Sequence, residues 1–589
     1  MADYINKASI QLRELITEAL GKTVADGTFP AVPIPDFNIE IPADKSHGDF
    51  ATNVAMVCAK AFRNAPRKIA ESICEKIDLA DSLFERCEVA GAGFINFFLS
   101  RKWFSDVVKN VLDENDNYGK TDLGKGKRVL VEFVSANPTG PMHIGNARGG
   151  AIGDCLASVL QWAGYHAERE FYVNDAGNQI QKFGKSLSLR YMQICSEKGQ
   201  QVINSCQNDI EKICAEIYSK SGEGQDFEMP EDVYLGTDII EHAMNYYNIH
   251  SEELENLSED DRRKALVDYA LPLNIEGLER DLKKYRIVYD NWFRESTLHN
   301  SGETMRIVDK LRETGHTYEQ EGATWFKATD FGVDKDFVLV RANGIPTYVV
   351  PDIAYHYDKL VTRNFDKAIN VLGADHHGYV PRLKSALTAL GVDADKLDVV
   401  LMQMVRLVRN GEVVKLSKRS GKAITLVTLL DEIPIDAARF YFNLREANSQ
   451  FEFDLDLAVE KSSQNPVYYV QYAHARICSL IANLKSEGIE IPENANLDVL
   501  DNPREIELIR HLASLPKEIN LSAKSYDPAK ITKYAIDLAT LFHRFYDACS
   551  VKNAETPELM NARILLCVAV RQVLRNVLSI LNVDKPEKM

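Results

Sequence analysis

The chain has 589 residues, 45% of them apolar, and a formal net charge of −17. That length holds several packed domains, and no apolar run approaches the ~18 residues of a membrane span. Its ten cysteines include no Cys-x-x-Cys pair, so neither a disulfide framework nor a zinc cluster is indicated. The acidic sum confines any nucleic-acid contact to local Lys and Arg on an acidic body. Met1 to Lys7 lacks the basic and then apolar regions of a secretory signal, so a soluble cytoplasmic protein is expected.

Residues 1–111 read as a small α/β accessory module. Ile5, Ala8, Leu12, Leu15 and Ala19 form a helical stripe, and Ile41 to Asn53 is a polar turn running into a second helix. Val89 to Leu99, containing Gly93-Phe94-Ile95-Asn96-Phe97-Phe98, reads as a strand closing the module. The phenylalanines suit a core. The alternative is that Asn96 and an exposed Phe98 read and stack on a splayed-out RNA base.

The stretch Val129 to Gly150 organises the chain. Val129 to Val134 is a buried-strand run broken only by Glu132. Ser135 to Pro141 holds Asn, Gly and two Pro, which no element interior tolerates well. Ile144, Ala147, Ala151 and Cys155 then restore helical spacing. Met142-His143-Ile144-Gly145 therefore sits where a strand ends and a helix begins, at the phosphate-binding end of an α/β unit. Gly145 allows a nucleotide to lie against backbone, and His143 offers an imidazole N–H to a phosphate oxygen. A helix ending at Gly164, a strand Ala167 to Val173 and the polar turn Asn174 to Gln179 complete a parallel βαβ unit. Ligands collect beyond the carboxyl ends of such strands.

Residues 189–285 read as a charged helical insertion without chemistry of its own, returning at Val288 to Ser296. Two Asn-Gly hairpins follow. The first joins Phe337 to Arg341 and Pro346 to Val350, and Pro351-Asp352 then opens a helix. Asp352 reads as an N-cap or as a carboxylate gripping a planar guanidinium, with Tyr348 lining the pocket. Ile369 to Gly373 is a strand ending in Ala374-Asp375-His376-His377-Gly378. No spaced ligand set accompanies those histidines, so no metal site is expected. The second hairpin, Leu401 to Val408 and Val413-Val414, delivers Lys415-Leu416-Ser417-Lys418-Arg419, which by itself reads as a solvated basic run or an anion patch. From Ile433 the chain reads as helical to its end, apart from a loop near 487–503. Tyr472, Arg476 and Tyr546 are candidates for stacking on RNA.

Ser135-Ala136-Asn137-Pro138 leading into His143-Ile144-Gly145 resembles the "HIGH" signature of class I aminoacyl-tRNA synthetases, specifically of the arginyl family. Lys415-Leu416-Ser417-Lys418 resembles the "KMSKS" loop of that class, and the resemblance covers essentially the whole chain. One departure is Asn146, which stands where the signature has its second histidine and can donate but never carry charge. The resemblance implies an N-terminal tRNA-contacting domain (1–111), a Rossmann-type parallel-sheet catalytic domain (112–430, insertion about 189–285) and an all-α anticodon-binding bundle (431–589).

It also implies ATP-dependent attachment of L-arginine to tRNA(Arg) through arginyl-adenylate, with Mg²⁺ accompanying ATP. His143, Asn146, Lys415 and Lys418 would contact the phosphates, and Gly145, Gly373, Asp375, His376 and Ser417 the rest of ATP. Glu132, Ser135 and Asn137 would hold the amino end of arginine, and Tyr348 and Asp352 its guanidinium. Asn96, Phe98, Tyr472, Arg476 and Tyr546 would meet tRNA. A monomer away from membranes is expected, with tRNA needed before arginine is activated. Two other readings stay open: a cysteine-activating relative, for which no Cys/His cluster is apparent, and a catalytically dead tRNA-binding paralogue.

Overall fold

A computed structural model describes residues 3–414 and 424–589; Lys415, Ser417 and Lys418 lie outside the described residues. The chain forms two compact units. One comprises residues up to Leu123 with Lys461–Ser525 and Lys530–Met589, and the other comprises Gly124–Glu460 with Tyr526–Ala529.

The second unit is built on a five-stranded, all-parallel sheet. Its order is Leu397–Met402, Lys367–Gly373, Arg128–Glu132, His166–Val173 and Asn291–Arg294. Val129, Leu130 and Val131 are buried, as expected where helices cover both faces. Strand order reverses between Lys367–Gly373 and Arg128–Glu132, which makes the crevice beyond their carboxyl ends a topological switch point. The signature turn and Ala374–His376 both leave the sheet there.

The register also aligns Asn370, Glu132, Glu170 and Asn291 side by side. A polar row thus crosses an otherwise apolar sheet. The helix Ile144–Trp162 follows the turn and ends through Ala163 and Gly164, whose φ of +85° suits glycine. Helices within 177–284 pack around a core of their own, including Phe183, Tyr191, Ile217, Ile240 and Leu266.

The structure corrects three local expectations. The Asn343-Gly344 turn forms, but its return arm is a single bridge, Val340 to Pro346, and the helix starts at Val349, with Tyr348 as its N-cap. Pro346 has no N–H to extend a ladder, while Val349 and Val350 are buried as the first helical turn. Asp352 is therefore inside the helix. Secondly, the chain after Ile433 includes the strand Phe451–Asp454, parallel to Val405–Arg409. Phe451 and Phe453 alternate inward onto Tyr441 and Phe442, a period of two that helical spacing hides. Thirdly, Val89 to Leu99 is no single strand. Phe84–Ala90 turns back at Gly93 (φ +137°) into Phe94–Leu99, and a Cβ at Gly93 would lie 2.7 Å from Pro66.

The first unit carries this hairpin in a four-stranded antiparallel sheet, together with the helices Pro466–Ser486, Pro503–Ser525, Ala529–Ala548 and Pro557–Ile580. The two ends of the chain share contacts within it. The Tyr118 hydroxyl donates to the Leu512 carbonyl at 2.9 Å, Asn576 Nδ2 donates to the Tyr118 carbonyl at 3.0 Å, and Arg510 pairs with Asp49 at 2.7 Å.

Candidate active site

The turn after Arg128–Glu132 is strained. Val134 and Ser135 lie at φ +68° and +41°, a region that β-branched residues rarely enter and that costs about 1–3 kcal/mol per residue. The bend sets Ser135 between two strands. Its hydroxyl donates to Glu132 Oε1 at 3.0 Å and accepts from the Tyr172 N–H at 3.2 Å. Further along, the His143 N–H donates to Asn146 Oδ1 at 3.1 Å, and Asn146 Nδ2 has no partner among the described residues. His143 and Gly145 are exposed, and no atom of the described residues lies within 4 Å of a Cβ placed on Gly145.

The turn is pinned from across the chain. His143 bridges Thr425, the Ile144 N–H donates to the Ile424 carbonyl at 3.2 Å, and the Leu426 N–H donates to the Met142 carbonyl at 2.9 Å. Ile424 directly follows the segment that carries Lys415, Ser417 and Lys418.

Behind the turn, the polar row is knit into a buried charge network. Lys359, fully buried, pairs with Glu132 and reaches Asn370 Oδ1 at 3.3 Å. Glu170 takes Arg363 at 2.6 Å and the Tyr355 hydroxyl at 2.7 Å. Burial works against its charge, yet Arg363, Lys359 and Tyr355 outweigh it and hold the carboxyl below the usual range. Asn370 Nδ2 donates to His356 Nε2 at 2.7 Å, so the His356 proton sits on Nδ1, which donates to the Asp352 carbonyl at 2.8 Å with Asp352 Oδ1 3.1 Å away.

Asp352 also accepts from the Tyr379 hydroxyl at 2.5 Å. Desolvation pushes its pKa up, but His356, Tyr379 and Lys359 overcome that and leave it below the ordinary carboxylate value. No Lys or Arg pairs with Asp352 among the described residues. Glu295, bonded by the Tyr172 hydroxyl at 2.8 Å, completes the cluster. Four carboxylates (Glu132, Glu170, Glu295, Asp352) less two fixed cations (Lys359, Arg363) leave a formal −2, histidines aside. That is a site poised for a cation.

Tyr348 is 70% exposed, its ring 5.9 Å from that of Tyr379. Asp375 and His376 are exposed on the turn after Gly373, and Asn137 is half-buried on the signature turn. The structure thus brings Glu132, Ser135, Asn137, His143, Gly145, Asn146, Tyr348, Asp352, Gly373, Asp375 and His376 to one end of the sheet.

Sequence reasoning missed several members. Lys359 and His356 follow Asp352 by seven and four residues, a one-face helical spacing that could have exposed them. Tyr379 carried no comparable signal. The insertion, read as lacking chemistry, supplies Tyr234, Gly236, Thr237 and Asp238 to a cleft of about 830 Å³ whose other wall includes Asn137, His143 and Asn146.

In the first unit, Asn96 is buried, and Phe98 is half-buried beneath the Arg86 guanidinium, 3.4 Å from its ring centroid. Tyr472 and Arg476 lie one turn apart on the helix Pro466–Ser486, and Tyr546 meets Arg476 from the helix Ala529–Ala548. Arg476 lies 4.1 Å over the Tyr546 ring, and Tyr472 stacks on His543 at 5.8 Å.

Three family models cover the chain. They are an arginyl tRNA synthetase N terminal domain over residues 11–99, a class I (R) tRNA synthetase catalytic domain over 107–481 and a DALR anticodon binding domain over 470–589. The arginine–tRNA ligases of Acetivibrio thermocellus and Caldanaerobacter subterraneus are each 49% identical to it, over all of both chains. The arginyl-tRNA synthetase structure from Thermus thermophilus shares the fold, with a TM-score of 0.70 at 20% identity, covering 98% of this chain and 99% of that one. The strand order, the two matched signatures and this full-length similarity lead to one conclusion: the chain belongs to the arginyl-tRNA synthetase family of class I.

Proposed function

We propose that Asp352, assisted by Tyr379 and Tyr348, takes the guanidinium of arginine in the ATP-dependent attachment of L-arginine to tRNA(Arg), the activity of this family. Asp352 is a carboxylate without a Lys or Arg partner among the described residues, in a network of net negative charge, and its neighbours hold it ionised. A guanidinium gives it two parallel charge-assisted bonds. Glu132, already paired with Lys359, and Ser135 brace the amino end together with Asn137.

ATP lies across the switch point. Its phosphates face His143 and the amide hydrogens of Asn146, with Gly145 giving room. Gly373, Asp375 and His376 take the nucleoside. Lys415 and Lys418 neutralise the β- and γ-phosphates, and Ser417 adds a donor. The α-carboxylate of arginine attacks the α-phosphorus, the bond to the bridging oxygen breaks, and pyrophosphate leaves. The terminal ribose hydroxyl of tRNA then displaces AMP from the arginyl carbonyl. Positioning and charge neutralisation supply the catalysis, so no covalent nucleophile is needed.

Among the described residues no cluster of three His, Cys, Asp or Glu is arranged for a metal, so Mg²⁺ would come bound to ATP. The tRNA is held through Asn96 and Phe98 at one end of the chain and Tyr472, Arg476 and Tyr546 at the other, of which the buried Asn96 is the least accessible. The protein acts as a cytoplasmic monomer.

The observation that carries the reading is the pinning of Ile424 and Thr425 to the signature turn, since the lysine segment ends there. The test is pyrophosphate exchange with each standard amino acid, with and without tRNA. Exchange is expected with arginine alone and only when tRNA is present. Exchange driven by another amino acid overturns the substrate assignment, and equal exchange without tRNA overturns the tRNA requirement.

A further inference from the structure

We propose that Asn274, oriented by His242, is a positioning residue that fixes the signature turn from within the helical insertion. The inference rests on the role of His143 given above.

Ser135 to Pro141 contains two prolines, so two of its residues have no N–H, and the turn has few donors to satisfy its own carbonyls. The Pro138 carbonyl takes its hydrogen bond from outside. Asn274 Nδ2 donates to it at 3.0 Å from the helix Glu259–Lys284. The amide has one consistent orientation. Its Oδ1 accepts from His242 Nε2 at 2.7 Å, which requires the histidine proton on Nε2 and leaves Nδ2 to face Pro138.

His242 is held in turn, with its ring edge-on to the buried Phe183 at 6.4 Å. Pro272, two residues before Asn274, interrupts the hydrogen-bond ladder of that helix where it meets the turn. Asp238, one helical turn before His242, stands beside the same turn, its Oδ2 3.2 Å from where a Cβ on Gly140 would be. The helix Glu259–Lys284 thus holds the turn at Pro138, while Ile424 to Leu426 hold it at Met142 to Ile144. Five residues after Pro138, His143 faces the cleft. Small displacements of a reacting geometry cost rate steeply.

The experiment is arginine- and tRNA-dependent pyrophosphate exchange, with melting temperature measured alongside. Asn274→Asp keeps the shape and the acceptor for His242 but loses the donor to Pro138. We expect its kcat to fall ~10-fold with the KM for arginine and the melting temperature unchanged. His242→Ala behaves likewise, and His242→Gln, which can still donate to Asn274, recovers activity to within about twofold. A kcat near wild type in Asn274→Asp, a loss that tracks the melting temperature, or His242→Gln as impaired as His242→Ala overturns the proposal. Absence of arginine-dependent exchange in the unaltered protein would instead sink the parent reading.

Discussion

The two halves of the helix Ile144–Trp162 are built to opposite rules. Its first turn is open: His143 and Gly145 are exposed, and Asn146 has amide hydrogens to offer. From Arg148 to Ala157 every residue is buried. Arg148, fully buried, donates to the carbonyls of Gln403, Glu446 and Ser449. A Cβ on Gly153 would fall 2.1 Å from the Phe133 ring. Asp154 is clamped between Arg169 and Arg439. The ligand-facing turn keeps its place because the rest of the helix cannot move.

The largest effect is expected at the closed end. Asp154→Asn leaves the buried Arg439 and the partly buried Arg169 without their counter-charge and costs roughly 3–5 kcal/mol in denaturant unfolding at neutral pH. Burial alone would raise the Asp154 pKa, but Arg439 and Arg169 hold it below the usual range. Its contribution is therefore fully present above about pH 4, the unfolded carboxyl range, and is lost as pH falls through the lower folded value. The gap between variant and wild type should narrow over that acid window; a constant gap would refute the charge argument.

At the open end, Lys418→Ala should slow adenylate formation by about 10²–10³ with arginine binding intact, as removal of a transition-state contact does. Near-normal turnover would refute the role of that lysine. Asp352→Asn keeps the shape and removes the charge. The KM for arginine should rise roughly 10- to 100-fold while the ATP KM holds, and an unchanged arginine KM would move the guanidinium pocket elsewhere.

The sharpest version of the contrast uses one methyl group at each end. Gly153→Ala should destabilise by about 1–3 kcal/mol through overpacking. Gly145→Ala should leave the melting temperature alone and raise the KM for ATP. Reversal of that pattern would show that the first turn is packed rather than open.

Some of this was legible from spacing alone. The strand before the signature, the turn and the helix fall where Val129 to Cys155 indicate, and the helix ends at Gly164 as its left-handed φ requires. Asn410-Gly411 forms its hairpin in the register Val408 opposite Val413. Apart from the local hairpin at Gly93, the failures share one cause, since each concerns a partner distant in sequence. Phe451 to Asp454 becomes a strand because Val405–Arg409 offers an edge. Asp352 moves from cap to helix interior because Val349 and Val350 find core. Tyr234 to Asp238 acquires a role only because its insertion folds back onto the signature turn.

By itself the sequence determined the local chemistry: a donor-rich turn at a strand's end, a basic segment after a hairpin and a carboxylate near a tyrosine, because turn propensity, apolar period and residue type act over a few residues. The tertiary structure alone decided which charges face each other. The row Asn370, Glu132, Glu170 and Asn291 exists only through the register of four parallel strands drawn from across the unit. Only the helix turn that buries Lys359 against that row leaves Asp352, like Glu295, without a Lys or Arg partner among the described residues.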